Sequence, residues 1–234
     1  MNLKKYRDMR DIGHLCKHYS RTVKSNNYSN KEIQLDKIKD DYNLAPEREQ
    51  ESEYIKLLIN DISTENKKTI RKDAVKMCTW IVDLPTSMKA ASTEDQARFF
   101  KESYDFLVSR YGQKSGMGED IVISAYVHNS ETTPHLHFAF VPILEKNNVK
   151  NLCAKDLINR TELKECQQEL AIYLQEKGIC KYKDILNGAT QRDERGRVKS
   201  VHDLKKERNQ RSREQEKVDR WSSRSEQTYE RGRW

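Results

Sequence analysis

The sequence has few of the residues that build a large hydrophobic core. Only 35% of its 234 residues are hydrophobic and another 35% are charged, whereas globular domains average about 45–50% apolar residues, glycine included, and about 25% charged residues. The length allows one large domain or two small ones. The shortage of apolar residues therefore predicts that part of the chain does not pack into a core.

Long hydrophobic runs and paired cysteines are also absent. No run approaches the roughly 18 uncharged residues of a membrane helix, and the opening MNLKKYRDMR contains no apolar signal-peptide segment. The five cysteines include no CxxC pair, which argues against a disulfide framework and against a cysteine-rich zinc site. These features predict a protein of a reducing compartment, the cytoplasm, with no membrane segment.

Positive charge is concentrated at the two ends of the chain. Residues 1–40 contain 10 Lys and Arg against 5 Asp and Glu, residues 192–234 contain 14 against 9, and the stretch between them is slightly acidic. This asymmetry is typical of proteins with a polyanionic partner. A solvated surface with an unpacked basic tail would give the same counts, so charge alone leaves both alternatives open.

Hydrophobic spacing predicts an α+β domain followed by a charged extension. Strands are expected near 2–10, 70–84, 120–128 and 135–143, and helices over 50–62, 93–111 and 161–177, with Thr93 and Thr161 as helix caps. Residues 11–50 are expected to be mostly irregular. The predicted division is a domain at 1–190, with an antiparallel central sheet flanked by helices, and a helical or disordered basic extension at 191–234.

Three of the six histidines fall within ten residues, at positions 128, 135 and 137. Alternate residues of a strand project from one face, so His135 and His137 point the same way. If the two strands pair as a hairpin, His128 joins them, and three imidazoles with open coordination positions are typical of a catalytic metal site. Glu131 in the turn is a fourth candidate ligand or a base. The alternative is that some of these histidines are ordinary polar residues of a sheet surface.

Three histidines and a carboxylate suit hydrolysis, phosphoryl transfer or oxygen chemistry. The basic ends favour a phosphodiester, because a divalent cation can withdraw charge from a phosphate oxygen. Such a site also needs a nucleophile, and the basic N-terminal segment places His18, Tyr19 and Arg21 close together. Arg21 is a candidate phosphate clamp, since a guanidinium can bind a phosphate through two hydrogen bonds.

The sequence resembles the Mob/Pre family of plasmid mobilisation relaxases, the MobV type of HUH endonuclease. The matching segments follow the family's order over about residues 10–200, and the His-hydrophobic-His motif alone would be a weak signal. They are His18-x-x-Arg21, Asp41-Tyr42-Asn43-Leu44, Ile70-Arg71-Lys72-Asp73-Ala74-Val75 with Trp80, His128-x-x-Glu131-x-x-Pro134-His135-x-His137 and Arg160-Thr161-Glu162-Leu163-Lys164.

This resemblance implies a relaxase fold and a site- and strand-specific DNA nicking and strand-transfer activity. His128, His135 and His137 would bind a divalent cation, Mn²⁺ or Mg²⁺, and Glu131 would act as a base or orient the metal. His18 would be the nucleophile and would form a phosphoramidate with the DNA 5′ phosphate, which keeps the bond energy for rejoining the strand. The expected DNA is the transfer origin of a plasmid or similar element in a bacterial cell.

The same resemblance makes Arg71 and Lys72 expected phosphate contacts. Two features depart from the family. Ser130 stands where members often have Asp, and the chain ends at Trp234, before the long helical region that the family uses for self-association. The sequence therefore leaves the oligomeric state undecided, with a dimer as one alternative.

Three alternatives remain at this level. Tyr19 is the rival nucleophile, because tyrosine is the usual HUH nucleophile and Tyr19 adjoins His18. A rolling-circle replication initiator would use the same chemistry at a replication origin. A DNA-binding or recombination accessory protein would keep the metal site only as a structural element.

Overall fold

A computed structural model describes residues 1–22, 30, 33–48 and 50–186, together with 206, 207, 210, 213 and 214. The chain forms two units, Met1–Gly188 and Ala189–Trp234, and all the elements named below belong to the first. Most of the second unit lies outside the described residues, so the division at residue 190 and the nature of the basic extension stay predictions. Within the described part of the chain, no helix is long and apolar enough to cross a membrane.

The first unit is built on an antiparallel sheet, as the sequence predicted, and the sheet has five strands, one more than the pattern indicated. Its strands are β1 (Asn2–Tyr6), β2 (Tyr42–Asn43), β3 (Met77–Asp83), β4 (Val122–His128) and β5 (His135–Phe140), in the spatial order β1-β3-β5-β4-β2. Strand β5 thus occupies the centre. A separate hairpin, which the sequence analysis did not predict, consists of β6 (Ile143–Lys146) and β7 (Val149–Leu152).

Helices cover both faces of the sheet. They are α1 (Met9–Tyr19), α2 (Glu51–Glu65), α3 (Thr93–Ser115), α4 (Ala154–Leu157), α5 (Arg160–Glu176) and α6 (Tyr182–Leu186). The predicted apolar stripe of α3 is buried, and its Tyr104 and Tyr111 contact Phe138 and Phe140 of β5 at ring-centroid distances of 5.9 and 4.6 Å. Because side chains alternate along β5, the histidines of this strand face away from α3.

The expectation of irregular structure from residue 11 is wrong, because α1 occupies Met9–Tyr19. Asp8 caps this helix by accepting a hydrogen bond from the Arg10 backbone nitrogen at 2.7 Å. The apolar residues Ile12, Cys16 and Tyr19 fall on one face and are buried. Their stripe is narrow and the positions between them are mostly polar or charged, which hid the helical pattern.

The predicted cap of α3 is wrong by one residue and that of α5 by two. Ser92 caps α3 by accepting a hydrogen bond from the Asp95 backbone nitrogen, and Asn159 caps α5 by accepting one from the Glu162 backbone nitrogen. Serine and asparagine are among the best N-cap residues, so Thr93 becomes the first residue of α3 and Thr161 the second residue of α5.

Candidate active site

The three histidines of the β4–β5 hairpin meet at one end of the sheet. His128 pairs with His135 across the two antiparallel strands, and His137 lies two residues further along the central strand. Potential ligand atoms of the three rings all lie within 4.8 Å of one another. His128 and His137 are buried, and His135 is partly exposed. The three imidazoles therefore converge in the structure, as the alternation of side chains along the strands predicted.

Backbone carbonyls orient two of these rings. The Nε2 atom of His128 lies 2.9 Å from the carbonyl oxygen of Tyr19, and the Nδ1 atom of His135 lies 2.8 Å from that of Thr133. A carbonyl oxygen can only accept, so these two nitrogens carry protons, and in the neutral form of each ring the opposite nitrogen presents a lone pair. Metal-binding histidines are commonly oriented in this way.

The inner nitrogens of the rings fit a divalent cation. In the part of the chain that the structure describes, His128 Nδ1 and His137 Nδ1 are buried without a hydrogen-bond partner. The Nε2 atoms of His135 and His137 approach each other at 2.9 Å. Buried polar atoms without partners are rare in folded proteins. A cation bound by His128 Nδ1 and the two facing Nε2 atoms would give His128 Nδ1 a partner, and three imidazoles leave further coordination positions open.

His18 lies beside this triad in the last turn of α1. Its ring centroid is 6.0 Å from that of His128, with the two rings nearly perpendicular. Burial, and then the nearby Arg21 and His128, lower the pKa of His18 to about 4. The imidazole is therefore neutral at neutral pH and keeps a nitrogen lone pair, which nucleophilic attack requires.

Tyr19, the rival nucleophile, packs against the histidine triad. Its side chain is buried, with 2% of the residue exposed, and its ring stacks on His137 with a centroid distance of 4.3 Å. Burial, with a further effect from the nearby Tyr6, raises the pKa of Tyr19. A phenol must lose its proton to attack phosphorus, so this environment disfavours Tyr19 as the nucleophile and favours His18.

Arg21 binds two carboxylates beside the histidine triad. Its Nε donates to Asp41 Oδ2 at 3.0 Å, and its Nη2 donates to Glu131 Oε1 at 2.8 Å. The side chains of Arg21 and Asp41 are each only 4% exposed. The backbone of Arg21 has a φ of +55°, in the left-handed region that is uncommon for residues other than glycine. The guanidinium is thus engaged with protein carboxylates, and its contact with a DNA phosphate stays a prediction.

Glu131 is an ionised carboxylate close to the triad. Its Oε1 lies 3.7 Å from His128 Nδ1, and its Oε2 accepts a hydrogen bond from Asn30 Nδ2 at 2.8 Å. Burial alone would raise the pKa of Glu131, but the neighbouring His128 and Arg21 hold it well below its usual range. A carboxylate with so low a pKa is a weak proton acceptor, so its position suits orientation and charge balance better than general-base catalysis.

The structure does not bring Arg71 and Lys72 to the triad. These residues precede the N-terminal end of β3, whereas His135 pairs with Asp83 at its C-terminal end. The Arg71 side chain is 81% exposed, and its Nε lies 3.3 Å from Asp73 Oδ1. Their contact with DNA stays a prediction, for a part of the DNA away from the triad.

Asp41 and Ser130 take part in the site although the sequence suggested no role for either. In the sequence, Asp41 is a member of a segment that matches the family, and Ser130 departs from the family pattern. The Ser130 hydroxyl donates to Asp41 Oδ2 at 2.6 Å. That segment match was the one signal that pointed to Asp41.

The fold recurs in solved structures of a DNA-processing domain. The Mn-bound MobM relaxase domain in complex with plasmid pMV158 oriT DNA is similar to this structure with a TM-score of 0.69 and 25% identity, over 88% of this chain and 96% of that chain. A second Mn-bound MobM complex, with a 22-nucleotide oriT DNA, gives a TM-score of 0.68 and 26% identity over the same shares. Fold and site together define a domain of the relaxase class.

The family model for plasmid recombination enzymes, Mob_Pre, matches residues 1–185, and this chain belongs to that family. The resemblance noted from the sequence is thereby confirmed. Plasmid recombination enzymes of Bacillus thuringiensis and Lactiplantibacillus plantarum are 34% and 30% identical over 72% and 67% of this chain. The chain spans only 35% and 41% of the lengths of these two relatives.

Proposed function

We propose that this domain is a metal-dependent relaxase that nicks one DNA strand at a transfer origin and stays covalently joined to it. It would start the mobilisation of a plasmid or similar element in the bacterial cytoplasm. The observation that carries the proposal is the position of His18, whose ring centroid lies 6.0 Å from that of His128 in the triad. Family membership and the likeness to a relaxase domain bound to oriT DNA support it.

His18 attacks the scissile phosphorus with the lone pair of one imidazole nitrogen. A P–N bond forms while the bond from phosphorus to the 3′ oxygen breaks. The imidazole releases one proton and the 3′ oxygen takes up one, so the step consumes no water. The products are a 5′ phosphate joined to His18 and a free 3′ hydroxyl, which can later reverse the reaction.

The residues around His18 prepare this step. A divalent cation held by His128, His135 and His137, Mn²⁺ or Mg²⁺, would withdraw charge from a phosphate oxygen. Tyr19 packs on His137 and fixes the His128 ring through its carbonyl oxygen. These contacts keep the nucleophile and the triad on one rigid surface, which favours attack in a defined geometry.

A second basic region would contact DNA farther from the cut. Arg71 lines a cavity at the opposite end of β3 together with Arg7, Lys68 and Lys155. Exposed lysine and arginine side chains bind DNA phosphates without reading sequence. Arg71 and Lys72 would therefore position the DNA rather than select the scissile bond.

The test is a nicking assay with supercoiled DNA from the protein's own element and MnCl₂. We expect a single nick on one strand, with the 5′ end blocked by a peptide that mass spectrometry identifies as containing His18. His18→Ala should abolish this adduct, and Tyr19→Phe should retain it. Loss of the adduct in Tyr19→Phe with retention in His18→Ala would assign the nucleophile to Tyr19.

The same assay separates the remaining alternatives. A nick mapped to a replication origin would favour a rolling-circle initiator. DNA binding without nicking under any divalent metal would favour an accessory protein with a structural metal. His135→Ala is the matched negative control, because it removes one imidazole of the triad and leaves His18 in place.

A further inference from the structure

Asp41 uses the full hydrogen-bonding capacity of its carboxylate within the site. Its Oδ1 accepts the backbone N–H groups of Asn129 at 2.7 Å and Ser130 at 2.8 Å. Its Oδ2 accepts the Ser130 hydroxyl at 2.6 Å and the Arg21 Nε at 3.0 Å. An ionised carboxylate offers about four lone-pair positions. Four donors, from two distant segments of the chain, thus converge on one side chain.

The two segments that Asp41 joins are the ones that carry the reacting groups. Arg21 follows His18 at the end of α1. Asn129 and Ser130 form the turn between His128 and Glu131. Arg21 closes the ring of contacts, since its Nη2 donates to the Ser130 hydroxyl at 3.2 Å as well as to Glu131. Asp41 itself precedes the two-residue edge strand β2 and belongs to neither segment.

The Asp41 side chain is only 4% exposed, so DNA cannot reach it. Any effect of Asp41 on the reaction must therefore pass through the groups that it holds. We propose that Asp41 is a positioning residue of the nicking site. By fixing Arg21 and the 129–131 turn, it sets the position of His18 and Glu131 relative to the histidine triad. The inference rests on the proposed function and gives the Asp41-Tyr42-Asn43-Leu44 segment a physical role.

The backbone of Arg21 shows why such a holding contact matters. Its left-handed conformation is strained for an arginine and persists only where surrounding contacts enforce it. The buried ion pair with Asp41 is one such contact. The metal-ligating histidines, by contrast, lie on strands β4 and β5, which the ladder hydrogen bonds of the sheet hold without Asp41. Loss of Asp41 should therefore loosen the nucleophile and leave the metal site largely intact.

The first test is Asp41→Asn. Asparagine preserves the size of the side chain and one acceptor oxygen, but it replaces the other oxygen with a donor that faces the Arg21 and Ser130 donors. We expect single-turnover adduct formation to slow by about 10- to 100-fold. The variant should lose stability with the buried ion pair, but the dissociation constant for Mn²⁺, measured by calorimetry on the folded protein, should stay close to wild type. The matched control is Asp40→Asn, the same charge change at the adjacent exposed side chain, which should react like wild type.

A double-mutant cycle with Arg21→Gln tests the route of the effect. If Asp41 acts through Arg21, the double variant is no slower than Arg21→Gln alone. Additive losses would contradict this route. Asp41→Asn reacting within about twofold of wild type, or losing Mn²⁺ binding together with activity, would overturn the proposal.

Hydrogen exchange gives a readout that does not depend on activity. Asp41→Ala removes the acceptor of the Asn129 and Ser130 amides, so both amides should exchange faster than in wild type, while amides of β5 keep their protection. If wild type forms no adduct, the proposed function fails and this measurement still decides the positioning role. Unchanged exchange at both amides would overturn it.

Discussion

Two clusters of basic side chains and carboxylates among the described residues serve different ends. In the first, the site cluster, Arg21 binds Asp41 and Glu131 between the end of α1 and the β4–β5 turn. The second, the helix cluster, joins α3 to α5: Arg110 and Lys114 both bind Glu162, and Arg110 also binds Glu169. The contacts are alike in kind, so the difference must come from what surrounds them.

Charge balance separates the two clusters. The helix cluster has two cationic and two anionic side chains, so it is neutral by itself. The site cluster has one cationic side chain, Arg21, against the carboxylates Asp41 and Glu131, and it adjoins three imidazoles that offer lone pairs. The Glu131 carboxylate lies 3.7 Å from His128 Nδ1, so its charge faces the triad and favours a divalent cation there, whereas the balanced charges of the helix cluster connect two helices.

The largest expected effect is on metal binding at the site. His137→Ala removes a buried imidazole of the triad, so Mn²⁺ affinity measured by calorimetry should fall by more than about 100-fold, beyond the usual loss for a residue that only supports a ligand. His14→Ala on the exposed side of α1 is the control and should bind Mn²⁺ like wild type. Equal affinity of His137→Ala and wild type would remove the triad as the metal site.

A second variant tests the helix cluster. Burial alone would raise the pKa of Glu162, but hydrogen bonds from Arg110 and Lys114 outweigh it and hold this pKa below its usual range. Glu162→Gln should lower the free energy of unfolding by about 2 kcal/mol at pH 7, as for loss of hydrogen bonds to a charged group. Its Mn²⁺ affinity should not change.

The pH dependence of that effect has a definite sign. Because the pKa of Glu162 is lower in the folded state, its stabilisation is present above the unfolded-state pKa and is lost as the pH falls through the folded-state pKa. Urea unfolding at neutral and acidic pH should thus show the gap between wild type and Glu162→Gln closing on acidification. Glu165→Gln, exposed on the same helix, is the control and should leave stability nearly unchanged. A gap that persists in acid would contradict this assignment.

The smallest effect is expected when charge is removed from the site without removal of an imidazole. Glu131→Gln should weaken Mn²⁺ binding by about tenfold, because it lowers the negative charge near the triad and leaves all three rings in place. Glu169→Gln makes the same change in the helix cluster and should leave Mn²⁺ affinity unchanged. If both variants bind Mn²⁺ equally well, charge imbalance is not what prepares the site for a cation.

The metal-binding half of the site could be predicted because its geometry is local. Strand alternation and a short hairpin connection were enough to bring His128, His135 and His137 together. The family itself could be predicted from the order of the matching segments, and the family model confirms it.

The other half of the site depends on tertiary packing. Arg21 and Asp41 are 20 residues apart, and Arg21 and Glu131 are 110 residues apart. No periodic pattern in the sequence predicts such contacts. The sequence alone therefore indicates only a phosphate-binding role for Arg21. The helix α1, which places His18, was missed because a stripe of three buried residues is a weak signal among polar neighbours.

The central position of β5 has a consequence for how the protein forms. Strand β5 is the last of the five to leave the ribosome, yet it separates the β1–β3 pair from the β4–β2 pair. The sheet therefore cannot close until residues 135–140 are inserted, and such non-local pairing is slow. His135 and His137 lie on this closing strand, so a nascent chain has no complete metal site. Closure of the sheet and completion of the histidine triad would then depend on the same strand.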